Sequence, residues 1–274
     1  MNNNKIRSLS PTEAKIILSL EWDNRFLVTR GEIIHILGGN DKLADKVIQT
    51  LRTKRWLEQI KRGHYLLIPA NRGPEGIPDA NLLLIGSKLI SPYYFGYSTA
   101  ASYHNLTTQI RNTIWIVTQK SRRPISFRNV IFNFVHLSER KFFGFQKMKI
   151  FDAHLYMPDI EKTVLDCIDK MEKSGGVGEV THIIASASKK INWGKLIDYA
   201  LKMESTSLLQ RFGYLADRSG VKIPQKFRRR IHSRLCKNTR SFLASSRIWG
   251  EKAMFNSDWQ LLVNVPDSEI LSEI

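Results

Sequence analysis

The chain has 274 residues, 42% of them hydrophobic, which is enough for a sizeable core and excludes a disordered chain. Its formal net charge of +17 points to a polyanionic partner, with nucleic acid ahead of an anionic membrane surface. The two cysteines, Cys167 and Cys236, are too few for a disulfide scaffold and read as packing residues.

The N-terminal stretch Met1–Ser10 is polar and lacks the apolar run of a signal peptide. The longest apolar segment, Leu82–Ile90, is broken by Ser87 and Lys88 and is too short to span a bilayer. No helical pattern joins a basic face to a wide aromatic one. A cytoplasmic protein without membrane contact is expected.

The first helix opens at Ser10-Pro11-Thr12-Glu13, where Ser10 and Glu13 form a capping box and Pro11 suits the first turn. Ile16, Ile17 and Leu20 supply its apolar stripe. A second capping box, Thr29 with Glu32, opens a short helix ended by Gly38-Gly39. Asn40 then caps a third helix, expected from Asp41 to about Lys54. Leu43, Val47 and Leu51, with Ala44 and Ile48 beside them, form the expected buried side. The opposite side carries Lys42, Asp45, Lys46, Gln49, Thr50, Arg52 and Thr53. A hairpin follows, with strands Trp56–Ile60 and His64–Ile68 around a Lys61-Arg62-Gly63 turn.

Residues 71–80 are rich in Gly and Pro and mark the expected linker. Beyond it, residues 82–90 read as helix, and Ser98 as the cap of a helix ending at Tyr103 or His104. Strands are expected at Thr113–Thr118, Val130–Val135, Lys149–Ala153 and Phe142–Phe145. After Pro158 the pattern turns helical, near 159–170, 177–187, 193–203, 206–218 and 224–235, with a short strand around Trp259–Val263. The fold class that results is α+β. It comprises a winged helix-turn-helix over 1–70 and a mixed α/β domain over 81–274, split into 81–157 and a mainly helical 158–274.

Three helices and a hairpin in this order form a DNA-binding arrangement in which the third helix enters the major groove. Lys42, Lys46 and Arg52 are placed for phosphates; Gln49, Thr50 and Thr53 can reach base edges. Lys61 and Arg62 at the hairpin tip suit the backbone or the minor groove. The net charge is +4 over residues 1–80, +8 over 81–157 and +5 over 158–274, so most of the excess lies outside this unit. Two further basic clusters, Lys120, Arg122 and Arg123, and Arg228, Arg229, Arg230 and Arg234, are candidates for more phosphate, an acidic protein or RNA.

A set of motifs runs through the rest of the chain. Tyr93-Tyr94-Phe95-Gly96-Tyr97-Ser98-Thr99-Ala100-Ala101 leads into Tyr103-His104-Asn105-Leu106-Thr107 and Gln109. Trp115-Ile116-Val117-Thr118 with Arg122-Arg123 comes next, then Phe134-Val135-His136 and Phe142-Phe143-Gly144. Asp159-Ile160-Glu161-Lys162-Thr163-Val164-Leu165-Asp166-Cys167-Ile168-Asp169 and Gly175-Gly176 close the series, with Arg62-Gly63-His64-Tyr65-Leu66 upstream. In this order, over roughly residues 10–200, the chain resembles the AbiEi antitoxins of type IV abortive-infection toxin–antitoxin systems. The resemblance implies a winged-helix repressor of its own operon, acting on double-stranded DNA through inverted repeats. It also implies an antitoxin that opposes a nucleotidyltransferase-like toxin in phage defence and is not an enzyme.

Other chemistry-bearing residues read as structural. Asp159, Glu161, Asp166 and Asp169 have the composition of a nuclease metal site, but acids at 159 and 161 also favour a helix start. Asp166 and Asp169 are expected to face solvent together. The seven histidines lack zinc spacing. His104 reads as a packed, hydrogen-bonded residue, and Gly175–Gly178 as an interhelical loop rather than a P-loop. No catalytic residue, metal or cofactor is expected. The alternatives are a metal-dependent nuclease using the 159–169 carboxylates and an RNA- or protein-interaction module.

Overall fold

A computed structural model describes residues 7–23, 25–70, 82–109, 111–150, 153–235 and 239–274. The fold mixes α and β structure in two compact units, one of residues 1–89 with 125–130 and one of residues 90–124 with 131–274. Residues 82–89, expected to begin the second domain, belong to the first unit, and the expected linker at 71–80 lies outside the described residues.

In the first unit the order is α1 (Pro11–Trp22), β1 (Leu27–Thr29), α2 (Arg30–Ile36), α3 (Asp41–Thr53), β2 (Leu57–Lys61) and β3 (His64–Leu67). Both capping boxes form: the Ser10 and Thr29 hydroxyls accept from the backbone of Glu13 and Glu32, whose carboxylates accept in return. The strands make an antiparallel sheet of order β1-β3-β2. Ile16, Ile17 and Leu20 of α1 pack with Ile33 of α2 and Ala44, Val47, Ile48 and Leu51 of α3. Leu43, expected in that stripe, is instead 37% exposed, because it sits in the first turn, beyond the reach of the core. A buried Arg7 covers the indole of Trp56 at 3.7 Å and donates to the carbonyls of Ile68 and Pro69. Helix α4 spans only Leu82–Ser87.

The second unit begins with β4 (Tyr93–Phe95), α5 (Tyr97–Tyr103) and β5 (Thr113–Thr118). Gly96, rather than Ser98, precedes α5, and Ser98 lies buried within its first turn. The short β6 (Ile125–Phe127) belongs to the first unit, where Arg128 pairs with Glu58. β7 (Val130–His136) runs parallel to β5, and β4 lies antiparallel on the other side of β5. A separate hairpin joins β8 (Phe145–Ile150) and β9 (Ala153–Pro158); Phe142, expected in a strand, precedes it.

Five helices follow: α6 (Ile160–Asp169), α7 (Val177–Ala187), α8 (Trp193–Lys202), α9 (Thr206–Arg218) and α10 (Gln225–His232). The turn into α7 needs positive φ at Gly175 and Gly176, at 109° and 96°, which glycine adopts without strain. The chain closes with β10 (Ser241–Phe242), α11 (Ser246–Trp249), β11 (Met254–Asn256), β12 (Leu261–Val263) and α12 (Asp267–Ile270). Strand β12 lies between β10 and β11. The main core joins α6, α7, α8 and α9 with Trp259 and Leu261, and Cys167 is buried in it as a free thiol. Cys236 lies outside the described residues. Among the described residues no helix is long and apolar enough to cross a membrane.

Candidate nucleic-acid interface

Helix α3 is held from within and open outside. Its N-terminus is capped by Asn40, whose side-chain oxygen accepts from Leu43 N at 3.0 Å. Ala44, Val47, Ile48 and Leu51 are buried, which turns Lys42, Lys46, Gln49, Arg52 and Thr53 outward. Residues 42, 46, 49 and 53 follow helical spacing and line one face. Thr50 is half-buried. The Thr50 and Thr53 hydroxyls donate back to the Lys46 and Gln49 carbonyls at 3.0 and 3.1 Å. Their protons are therefore spent, but their oxygen lone pairs can still accept from a base amine.

Two acids, Asp41 and Asp45, sit on the same helix and would repel phosphate. Arg30 offsets them. Its Nε and Nη2 donate to the two Asp45 oxygens at 2.7 and 2.9 Å, and it lies 3.8 Å from Asp41. These bonds hold the Asp45 carboxyl below the usual carboxylate range. The Arg30 backbone N–H also donates to Gly63 O at 2.9 Å, which fastens the start of α2 to the β2–β3 hairpin. This role of Arg30 is not visible in the sequence, since its partners lie 15 and 33 residues away.

The hairpin turn is tighter than expected. Lys61 pairs with His64 across a register irregularity, leaving Arg62 and Gly63 at the tip, with Gly63 at φ 73°. Arg62 is exposed, whereas Lys61 is half-buried at the end of β2.

The basic clusters of the second unit divide once folded. Arg228 is bidentate to Asp217 of α9 at 2.7 and 2.8 Å, and Arg230 reaches Asp198 of α8 at 2.7 Å. These two guanidiniums dock α10 on its neighbours. Arg229 and Arg234 are exposed and, among the described residues, have no acidic partner. Lys120 donates to Ser91 O at 2.6 Å, Arg122 packs over the Phe134 ring at 5.2 Å, and Arg123 is exposed. Burial lowers the Arg122 pKa.

The four carboxylates of 159–169 are each engaged. Asp159 caps α6 by accepting from Lys162 N at 2.8 Å, and also meets Tyr199 Oη at 3.1 Å and Lys195 Nζ at 3.0 Å. Glu161 accepts from Asn192 N at 2.7 Å. Asp169 pairs with Lys141 at 2.7 Å. Asp166 does not face solvent as expected; it is 1% exposed, bonded to the buried Lys162 and to Tyr94 Oη at 2.9 Å. The reason is tertiary: Tyr94 of β4, 72 residues away in the chain, donates to it inside the core. Among the described residues no group of three or more His, Cys, Asp or Glu side chains is arranged to hold a metal ion. His104 Nε2 donates to Pro158 O at 2.7 Å, and burial lowers its pKa against the contrary pull of that carbonyl.

No family model and no curated protein matches the chain. In fold it is similar to the crystal structure of RV2827C protein from Mycobacterium tuberculosis, with a TM-score of 0.68 and 17% sequence identity. The likeness covers 98% of this chain and 97% of that chain.

Proposed function

We propose that the first unit is a winged helix-turn-helix that binds duplex DNA, and that the protein is a transcriptional autorepressor. One observation carries the reading. The outward face of α3 presents Lys42, Lys46, Gln49, Arg52 and Thr53 together, while Arg30 neutralises Asp45 and ties that helix pair to the hairpin tip. On this reading Lys42, Lys46, Arg52, Lys61 and Arg62 bind phosphates, and Gln49, Thr50 and Thr53 meet base edges in the major groove. In the second unit, Arg123, Arg229 and Arg234 offer exposed cations to a polyanion, whereas Arg228 and Arg230 hold α10 in place.

The resemblance to the AbiEi antitoxins supports the remainder: a type IV antitoxin that represses its own promoter at inverted repeats, opposes a nucleotidyltransferase-like toxin in the cytoplasm, and is not an enzyme. The alternative of a metal-dependent nuclease is disfavoured by the engagement of Asp159, Asp166 and Asp169 with lysines.

The test is a gel-shift titration on the upstream DNA of the gene, with scrambled DNA as control, at two salt concentrations. Preference for the native fragment supports a sequence-specific repressor. Lys46→Ala should weaken binding to both fragments alike and reduce the salt slope by about 1, whereas Gln49→Ala should narrow the gap between them. Unchanged binding in both variants would refute the placement, and stronger binding to structured RNA would favour an RNA-binding module.

A further inference from the structure

Helix α1 has two faces. Glu13, Ile16, Ile17 and Leu20 turn inward, and Lys15, Leu18 and Trp22 occupy the opposite side. Leu18 is 60% exposed and Trp22 87%, and Phe26, four residues further on, is 40% exposed. Leu18 and Trp22, left in water one helical turn apart, mark a contact surface. A fully open tryptophan is unusual, since its ring is the largest apolar surface a side chain offers.

We propose that this face of α1 is a self-contact, the site where a second copy of the chain docks antiparallel about a two-fold axis. Two features choose a second copy. The first is charge. Lys15 lies one turn before Leu18, and Asp23 directly follows Trp22; both are exposed. Antiparallel packing sets Leu18 against the Trp22 of the second copy and brings Lys15 toward its Asp23, so the patch is complementary to itself. The second is area. Trp22 and Leu18 expose roughly 300 Å² of side chain per copy, under half of the ~800 Å² per partner of a stable interface. The contact therefore makes a weak dimer, filled at high local concentration and mostly open in dilute solution. The inference is independent of the DNA-binding reading.

Sedimentation equilibrium of the full chain, without nucleic acid, from micromolar to near-millimolar concentration, tests it. The wild-type chain should shift from monomer to dimer at the upper end. Trp22→Ser and Leu18→Glu should each weaken the dimer at least tenfold, and Trp22→Phe should retain it. Lys15→Glu should weaken it, and adding Asp23→Lys should restore it. Both positions 18 and 22 are exposed, so circular dichroism should show every variant folded; if one is not, the other carries the test. A chain that stays monomeric throughout, or one that dimerises equally as Trp22→Ser and Leu18→Glu, overturns the proposal.

Discussion

The buried pair of Lys162 and Asp166 offers a sharp prediction of stability. Their side chains are 0% and 2% exposed, one helical turn apart on α6. Tyr94 Oη donates to the second Asp166 oxygen at 2.9 Å and accepts from Lys162 Nζ at 3.1 Å. The ammonium also lies 5.5 Å from the Tyr94 ring and 5.3 Å from the Phe143 ring. Asp166→Leu leaves the lysine without its counter-charge in a site that water does not reach. Removing one partner of such a pair costs about 3–5 kcal/mol, whereas replacing both by apolar groups of similar volume is often close to neutral. For a unit of this size that loss lowers Tm by roughly 6–20 °C. The double variant Lys162→Met/Asp166→Leu should recover most of it, so a double-mutant cycle should give a coupling of at least about 2 kcal/mol. Urea unfolding followed by circular dichroism measures all four proteins. A single Asp166→Leu cost under about 1 kcal/mol, or a double variant as unstable as the sum of the singles, would refute the reasoning.

The caps of the first unit make its stability depend on acid. Burial works against the Glu13 carboxylate, but the bonds from Lys54 and Ser10 outweigh it and lower its pKa; Thr29 and Arg25 do the same for Glu32. A lowered folded-state pKa means the stabilisation is complete above the unfolded value and is lost as pH falls through the folded one. Melting of the first unit should therefore weaken below roughly pH 4, and Glu13→Gln with Glu32→Gln should flatten that slope. Gly213 of α9 packs against the Trp259 ring so closely that an added Cβ would overlap it. Gly213→Ala should cost about 1–3 kcal/mol in urea unfolding, despite the better helix propensity of alanine.

Much of the local structure was legible in the sequence because it depends on neighbours in the chain. Ser10 with Glu13, Thr29 with Glu32, and Asn40 before α3 announce their helices, since a cap acts within one turn. The spacing of Ala44, Val47, Ile48 and Leu51 likewise names the buried side of α3, and so the outward side that carries Lys46 and Gln49. Tertiary structure alone decided how charges are spent. Arg30 and Asp45, Arg228 and Asp217, and Tyr94 and Asp166 meet across 15, 11 and 72 residues of chain, and no local pattern encodes such meetings. The consecutive Arg228, Arg229 and Arg230 look alike in the sequence, yet α9 and α8 claim the first and third and leave the second in water. Leu43 lies on the wrong side of the same rule, periodic but beyond the end of the core. Helical period ranks residues by direction; whether a direction ends in core, in an ion pair or in solvent depends on what the rest of the chain packs there.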